Sequence, residues 1–266
     1  MKGMVIEMKQ ALEYHLEQLL KAGYQKDEIL GVFVYGSQNY NYAHAGSDVD
    51  TKAIIIPSWN RLVHEPILTK EHHWENGEHC EVKDIREFVK MLYKQNVNFL
   101  EVLFTDYALV NSAFKNFYEE RILTLREKIV RYDVHYGIAS ICGQAIHTLH
   151  QAEIRPVWGE ADKKYGNALR LMKYLKHYVA NDIDYKSSIT LTDEERAGLI
   201  GYKTGTKTAS KEEIYKLKME FFEFKENNAP TERDEELKRD LDNAVSDFIW
   251  LKVLKDREGY GEIDFS

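Results

Sequence analysis

With 266 residues and a formal net charge of -8, the chain can bury a sizeable core but is too acidic to wrap nucleic acid indiscriminately, although a local basic groove stays compatible. Its 17 Tyr and 11 Phe exclude global disorder. Two cysteines, Cys80 and Cys142, make no disulfide framework, the N-terminus is charged too early for a secretory signal, and no apolar run approaches the roughly 20 residues of a membrane helix. The expectation is a soluble cytoplasmic protein without a disulfide-linked partner.

Val5, Met8, Leu12, Leu16, Leu19 and Leu20 recur three or four apart, which predicts a helix over 4–22 that Gly23 ends. "ILGVFVY" (29–35) reads as a buried strand. "DVDTKAIIIP" (48–57) reads as a second, with apolar side chains of both parities near its end, as in a strand covered on both faces. "KEHHWE" and "EHCEVK" flank Asn76-Gly77, a pair favoured in type I′ hairpin turns. On the returning strand Cys80 and Val82 point one way, and His79, Glu81 and Lys83 the other.

Asp84 is placed to cap a helix over 85–93 with Phe88, Val89 and Leu92 inward. From about Asp133 the pattern is helical. One stripe is Ile138, Ile141, Cys142, Ala145 and Leu149. A second helix over 163–180 turns Ala168, Leu171, Met172, Leu175 and Val179 inward. A third over 232–256 follows the turn-rich "KENNAPTERD". A mixed first half and a helical second half place a boundary near residue 125.

The chemistry concentrates between Tyr35 and Ile56. Asp48 and Asp50 alternate, so on one strand they share a face about 7 Å apart. Two such carboxylates repel unless a divalent cation lies between them, and Mg2+ takes hard oxygen ligands together with substrate phosphates. Gly36-Ser37 ends the preceding strand, where the start of a helix would offer N–H groups and a hydroxyl to a phosphate. Each element alone is weak. Their order, strand, Gly-Ser, spacer, Ser-Asp-x-Asp, strand, is more specific, and a solvated turn is the plainer reading.

"YGS" (35–37) followed by "SDVDTKAIII" (47–56) resembles the signature of the polymerase-beta-type nucleotidyltransferase superfamily. "EVKDIREFVKMLYKQNVNFLEVLF" (81–104) is similar to predicted bacterial and phage nucleotidyltransferases of its RNA-repair-associated branch. Looser echoes lie in "KKYGNALRLMKYL" (163–175) and "LTDEERAGLIGYKTG" (191–205). The resemblance implies an α+β fold. A small mixed sheet with flanking helices would form the catalytic domain (1–125), followed by a mostly helical substrate-binding domain (126–266).

It also implies transfer of an NMP from an NTP to a hydroxyl of RNA, protein or a small molecule, with two Mg2+ (or Mn2+) ions as cofactors. Asp48 and Asp50 then map onto the first two metal-binding catalytic acids, and Gly36, Ser37 and Ser47 onto the phosphate-gripping segment. Glu81 is chosen as the third acid and Asp84 is its alternative, whose plainer reading is the helix cap. Arg170, within "NALRL", is expected to contact a phosphate. Lys163 and Lys203 are helpers, the latter in a glycine-rich loop.

Tyr40 and Tyr42 fit base stacking or loop packing equally, and Asn98 and Glu101 read as structural. A zinc site from His72, His73, His79 and Cys80 fits no common spacing, and His79 and Cys80 face opposite sides. Two other functions stay open: a non-catalytic nucleotide- or RNA-binding module on the same fold, and an antitoxin-like regulatory partner.

Overall fold

Helix α1 (Lys2–Lys21) lies against one face of a mixed sheet, whose other face is covered by the helices of the chain's second half. The computed structural model describes residues 2–154, 160–180, 185–258 and 265. The sheet has five strands: β1 (Ile29–Tyr35), β2 (Asp50–Ile55), β3 (Thr69–His73), β4 (His79–Asp84) and β5 (Ala108–Val110), in the order β3-β4-β2-β1-β5. Only β2 and β4 run parallel. That parallel step needs a crossover, and residues 56–78 supply it through α2 (Trp59–His64) and β3.

Alternation along the strands divides two apolar layers. Val32, Val34, Ala53, Ile55, Cys80 and Val82 face α1 and meet Met8, Leu12 and Leu19. His15 joins that layer although it is polar. It is fully buried, with Nδ1 2.6 Å from Thr51 Oγ1 and Nε2 2.9 Å from Glu78 Oε2. Leu20, expected in the stripe, is instead exposed. The opposite face begins with Leu30, Phe33 and Ile54, and its apolar cluster continues to Phe248. No gap in that cluster falls at residue 125.

The remaining helices are α3 (Ile85–Tyr93), α4 (Val97–Leu100), α5 (Lys115–Arg121), α6 (Arg126–Ile129), α7 (Val134–Ile154), α8 (Glu160–Ala180), α9 (Tyr185–Ile189), α10 (Asp193–Thr204), α11 (Lys211–Glu226) and α12 (Glu235–Glu258). Helix α8 packs against α7, α9, α10 and α11, and α12 returns to α3 and α5. The inward stripe expected for α7 is buried throughout, whereas Val179 of α8 is exposed. Helices α10 and α11 both start with capping boxes, Thr192 with Glu195 and Ser210 with Glu213. The last residue of the "GYKTGTK" stretch that is helical is Thr204, so Lys203 sits in the last turn of α10 and not in a loop.

Two local expectations are corrected. Strand β2 begins at Asp50, so Asp48 precedes it and the two acids do not share one strand. In the β3–β4 connection Gly77 has φ +88 while Asn76 lies outside the positive-φ region, which rules out a type I′ turn there. Cys80 and Cys142 are both free and buried. Among the described residues no helix is long and apolar enough to cross a membrane.

Candidate functional site

Gly36, Ser37, Ser47, Asp48, Asp50, Lys163, Arg170 and Lys203 line one open cleft of about 270 Å³ between the Tyr35 end of β1, the Asp50 start of β2, and helices α7, α8 and α10. Of the acids and phosphate-binding residues expected from the sequence, Glu81 and its alternative Asp84 are not among the lining residues. The acids come from the mouth of β2, on the sheet face away from α1. The cations come from α8 and α10, more than 100 residues later.

Asp50 is fixed by its neighbours across two strands. It stands opposite Tyr35 on β1. Its Oδ1 lies 2.6 Å from His79 Nδ1, and His79 Nε2 lies 2.6 Å from the Tyr35 hydroxyl. The hydrogen bond to Asp50 raises the His79 pKa against the opposing effect of burial. Tyr35 is pushed well above its ordinary pKa, first by burial and then by Asp50. Asp48 is the more exposed acid of the two.

The Gly-Ser turn is shorter than the sequence suggests. Gly36–Gln38 form a single 3-10 turn, too short for a helix N-terminus to act as an anion site. Gly36 adopts φ +84, which an L side chain resists, and a Cβ there would lie 4.0 Å from Asp50 Oδ2. Glycine therefore keeps the space beside that free carboxylate oxygen open.

The turn is held from below by Glu101, which is buried. Its Oε2 accepts from Gly36 N–H at 3.0 Å and its Oε1 from the Tyr40 hydroxyl at 2.5 Å. Burial raises the Glu101 pKa, and the bonds from Tyr40 and Gly36 oppose that rise. Glu101 thus has a defined role under the turn, more specific than its sequence context indicates. Glu101→Ala leaves the Tyr40 hydroxyl and a backbone N–H unpaired in a dry site, and is expected to cost about 2–4 kcal/mol. Glu101→Gln keeps shape and one acceptor and is expected to cost about 1 kcal/mol. Urea denaturation of both variants checks this contrast.

The spacer between the two motifs is clamped by the second half. Leu191 N–H donates to Tyr40 O at 2.8 Å, Arg196 Nη2 to Ala43 O at 2.8 Å and Lys203 Nζ to Tyr42 O at 2.9 Å. Helix α8 approaches so closely at Gly166 that a Cβ there would sit 2.5 Å from the Tyr42 hydroxyl. Tyr40 and Tyr42 are buried and pack this loop, so neither offers a face for base stacking. Ser47 reaches the cleft, but its hydroxyl already accepts from His44 N–H at 3.0 Å.

Charge in the cleft is unbalanced locally. Arg170 is 6 % exposed, yet Nε and Nη1 have no hydrogen-bond partner, and its guanidinium lies 3.9 Å from the Tyr40 ring centroid. Burial, then Lys163 and Arg170, bring the Lys203 pKa down to about 8, although Asp50 and Asp48 act in the other direction. The sequence places Lys163 and Arg170 opposite the apolar α8 stripe. In the fold that side faces the cleft, because α8 is surrounded.

Glu81 lies on β4 opposite Lys52 of β2. It is ion-paired with both Lys52 and Lys83, the latter at 2.9 Å, and its pKa is lowered because these lysines outweigh its burial. Its register accounts for this: the β4 residue beside Asp50 is His79, two positions earlier. Asp84, the alternative, caps α3 by accepting from Arg86 N–H at 2.8 Å and also pairs with the Arg86 guanidinium. Neither residue is among those that line the cleft. Among the described residues no group of three metal-ligating side chains forms, the His72, His73, His79 and Cys80 set included.

Sequence reasoning missed the Tyr35–His79–Asp50 chain, and it missed Gln144, Thr148 and Asn167, which also line the cleft with Asn98. Asn167 had a readable signal: it lies four residues after Lys163 and three before Arg170, on the same helical face. Neither a protein-family model nor a curated protein matches this chain, so its function is read from the cleft alone.

Proposed function

We propose that this chain is a metal-dependent nucleotidyltransferase that moves an NMP from an NTP to a hydroxyl acceptor and releases pyrophosphate. The supporting observation is Arg170. A buried guanidinium with two unpaired donors is costly by itself, and Lys163 and Lys203 beside it add to the cost. A polyanion removes that cost. The carboxylates of Asp48 and Asp50 at the same cleft fit the cation that accompanies a triphosphate.

The residues present fit Mg2+ (or Mn2+) in one respect and not in another. Asp48 and Asp50 give hard oxygen donors, and Gly36 leaves room beside Asp50 Oδ2. One or two carboxylates plus substrate phosphates are a usual Mg2+ environment. Among the described residues that line the cleft there is no third carboxylate. When bound, Mg2+ acidifies the acceptor hydroxyl and screens the leaving pyrophosphate.

The chain's own residues supply the rest. His79 holds Asp50 at one oxygen and leaves the other toward the substrate. Arg170, Lys163 and Lys203 grip the phosphates and stabilise charge as the bond from the α-phosphorus to the pyrophosphate oxygen breaks. The bond from the α-phosphorus to the acceptor oxygen forms as the acceptor proton leaves to a carboxylate or to water. Glu101 keeps the turn beneath the phosphates in place.

Incubation with each α-labelled and γ-labelled NTP, Mg2+ and size-fractionated cellular acceptors tests the reading. Transfer of α-label alone supports it. Transfer of γ-label would indicate a kinase instead. Tight Mg–NTP binding without any acceptor labelling supports a second reading, a nucleotide-binding module, which the engagement of Glu81 by two lysines favours.

The Lys203 pKa of about 8 sets a pH dependence. The protonated amine binds phosphate, and a bound anion raises the pKa. NTP affinity is therefore full below about pH 8 and falls as pH rises above it, by at most tenfold per pH unit. Lys203→Arg, which keeps its charge, is expected to flatten the profile between pH 7 and 10 at fixed free Mg2+. Titration calorimetry reads both.

A further inference from the structure

We infer that Asn98, Gln144, Thr148 and Asn167 form a nucleoside subsite in the cleft, with adenine preferred. The inference rests on the reading of the cleft as an NTP site. Phosphate and metal account for its charged groups: Asp48 and Asp50, and Lys163, Arg170 and Lys203. The amide groups from α4, α7 and α8 remain, with the Thr148 hydroxyl, which donates to Gln144 O at 2.8 Å and keeps only acceptor capacity for a ligand.

These four are gathered by the fold. Gln144 and Thr148 lie one turn apart on α7, on one face. Asn98, at the start of α4, brings Oδ1 to 3.5 Å from Gln144 Nε2. Asn167 stands between Lys163 and Arg170 on α8. All four are partly exposed, so the cleft reaches them. Among the described residues the Asn167 amide has no hydrogen-bond partner, and the Asn98–Gln144 contact is at the long limit of a hydrogen bond.

Their chemistry selects a ligand class. Each amide carries a donor and an acceptor side by side. That pattern matches adenine on both of its edges, N6 with N7 and N6 with N1, and Asn and Gln bind it in bidentate fashion, whereas cytosine, uracil and guanine offer such a pair on their Watson–Crick edge alone. Guanine offers two acceptors at O6 and N7, which suit Arg or Lys, and the cations of this cleft are assigned to phosphate. The tyrosine rings nearby are committed to packing: Tyr40 and Tyr42 are buried, and Tyr35 is bound to His79. Recognition therefore runs through hydrogen bonds at base edges and ribose hydroxyls.

The test measures binding of the α,β-methylene analogues of ATP, GTP, CTP and UTP, and of inorganic triphosphate, to the full chain with Mg2+. The expected result is a preference for the ATP analogue of roughly tenfold or more. Gln144→Ala with Asn167→Ala is expected to reduce that preference to less than about twofold, with triphosphate affinity unchanged. Gln144→Glu, which keeps the shape and replaces the donor, controls for packing and is expected to lose the preference as well. Equal affinities for all four analogues, or a preference that survives both variants, overturns the subsite while triphosphate binding leaves the transferase reading in place. Failure of every analogue and of triphosphate to bind overturns both.

Discussion

Asp50→Asn is expected to lower nucleotide transfer by roughly a thousandfold or more, because metal-held charge stabilisation is worth several kcal/mol at the transition state. The substitution is nearly isosteric. Its carbonyl oxygen can still accept from His79 Nδ1, which now lies 2.6 Å from Asp50 Oδ1, so the link to Tyr35 survives. Folding stability is therefore expected to change by less than about 1 kcal/mol. Asp48→Asn removes the other hard ligand and is expected to act in the same direction.

The decisive pair of measurements is α-label transfer and thermal denaturation on the same preparations. Activity lost with the melting temperature kept assigns these carboxylates to chemistry. Activity retained by the Asp48→Asn, Asp50→Asn double variant removes the transferase reading altogether. Addition of Mg2+ is further expected to stabilise the wild-type chain in the presence of NTP, by mass action, and to leave the double variant unaffected.

Much of this site was legible locally. Gly36, Ser37, Asp48 and Asp50 lie within one short stretch, where strand propensity and turn residues fix the backbone. Their neighbours across the sheet were harder to read, because register decides them. Parity correctly put Glu81 on the cleft side of β4, yet a shift of two residues along the strand separates the position beside Asp50, held by His79, from the position beside Lys52, held by Glu81. No periodicity in a single sequence distinguishes those two.

The helical half shows the same limit in another form. The α8 stripe is visible at helical spacing, and a charged opposite face normally means solvent. Here the loop of residues 39–44 and helices α7 and α10 cover that face, so Arg170 is buried. Arg170 was nevertheless picked out from a motif, and its burial is the information that only tertiary packing holds. Helices α10 and α11 were missed even though Thr192–Glu195 and Ser210–Glu213 are capping-box signals that a systematic scan for Ser/Thr-x-x-Glu finds.

Arg170→Met separates stability from function. In the ligand-free chain the guanidinium forgoes hydrogen bonds at Nε and Nη1 and keeps the stacking on Tyr40 and the attraction of the buried Glu101. Methionine fills similar volume without a charge to desolvate, and such replacements are often neutral or stabilising. The loss of Glu101's attraction offsets part of that gain, so the apo protein is expected to stay within about 1 kcal/mol of the wild type, read by urea denaturation. Mg–NTP affinity is expected to fall by roughly tenfold to a hundredfold, since a hydrogen-bonded charge pair is worth about 1.5–3 kcal/mol. The weaker binding reduces the stabilisation that NTP gives to the variant. Arg170→Lys restores the charge but not the planar fork, and is expected to recover only part of the affinity. A destabilised Arg170→Met chain that binds Mg–NTP as the wild type does would make Arg170 a structural residue, and the unpaired donors would then need another anion to explain them.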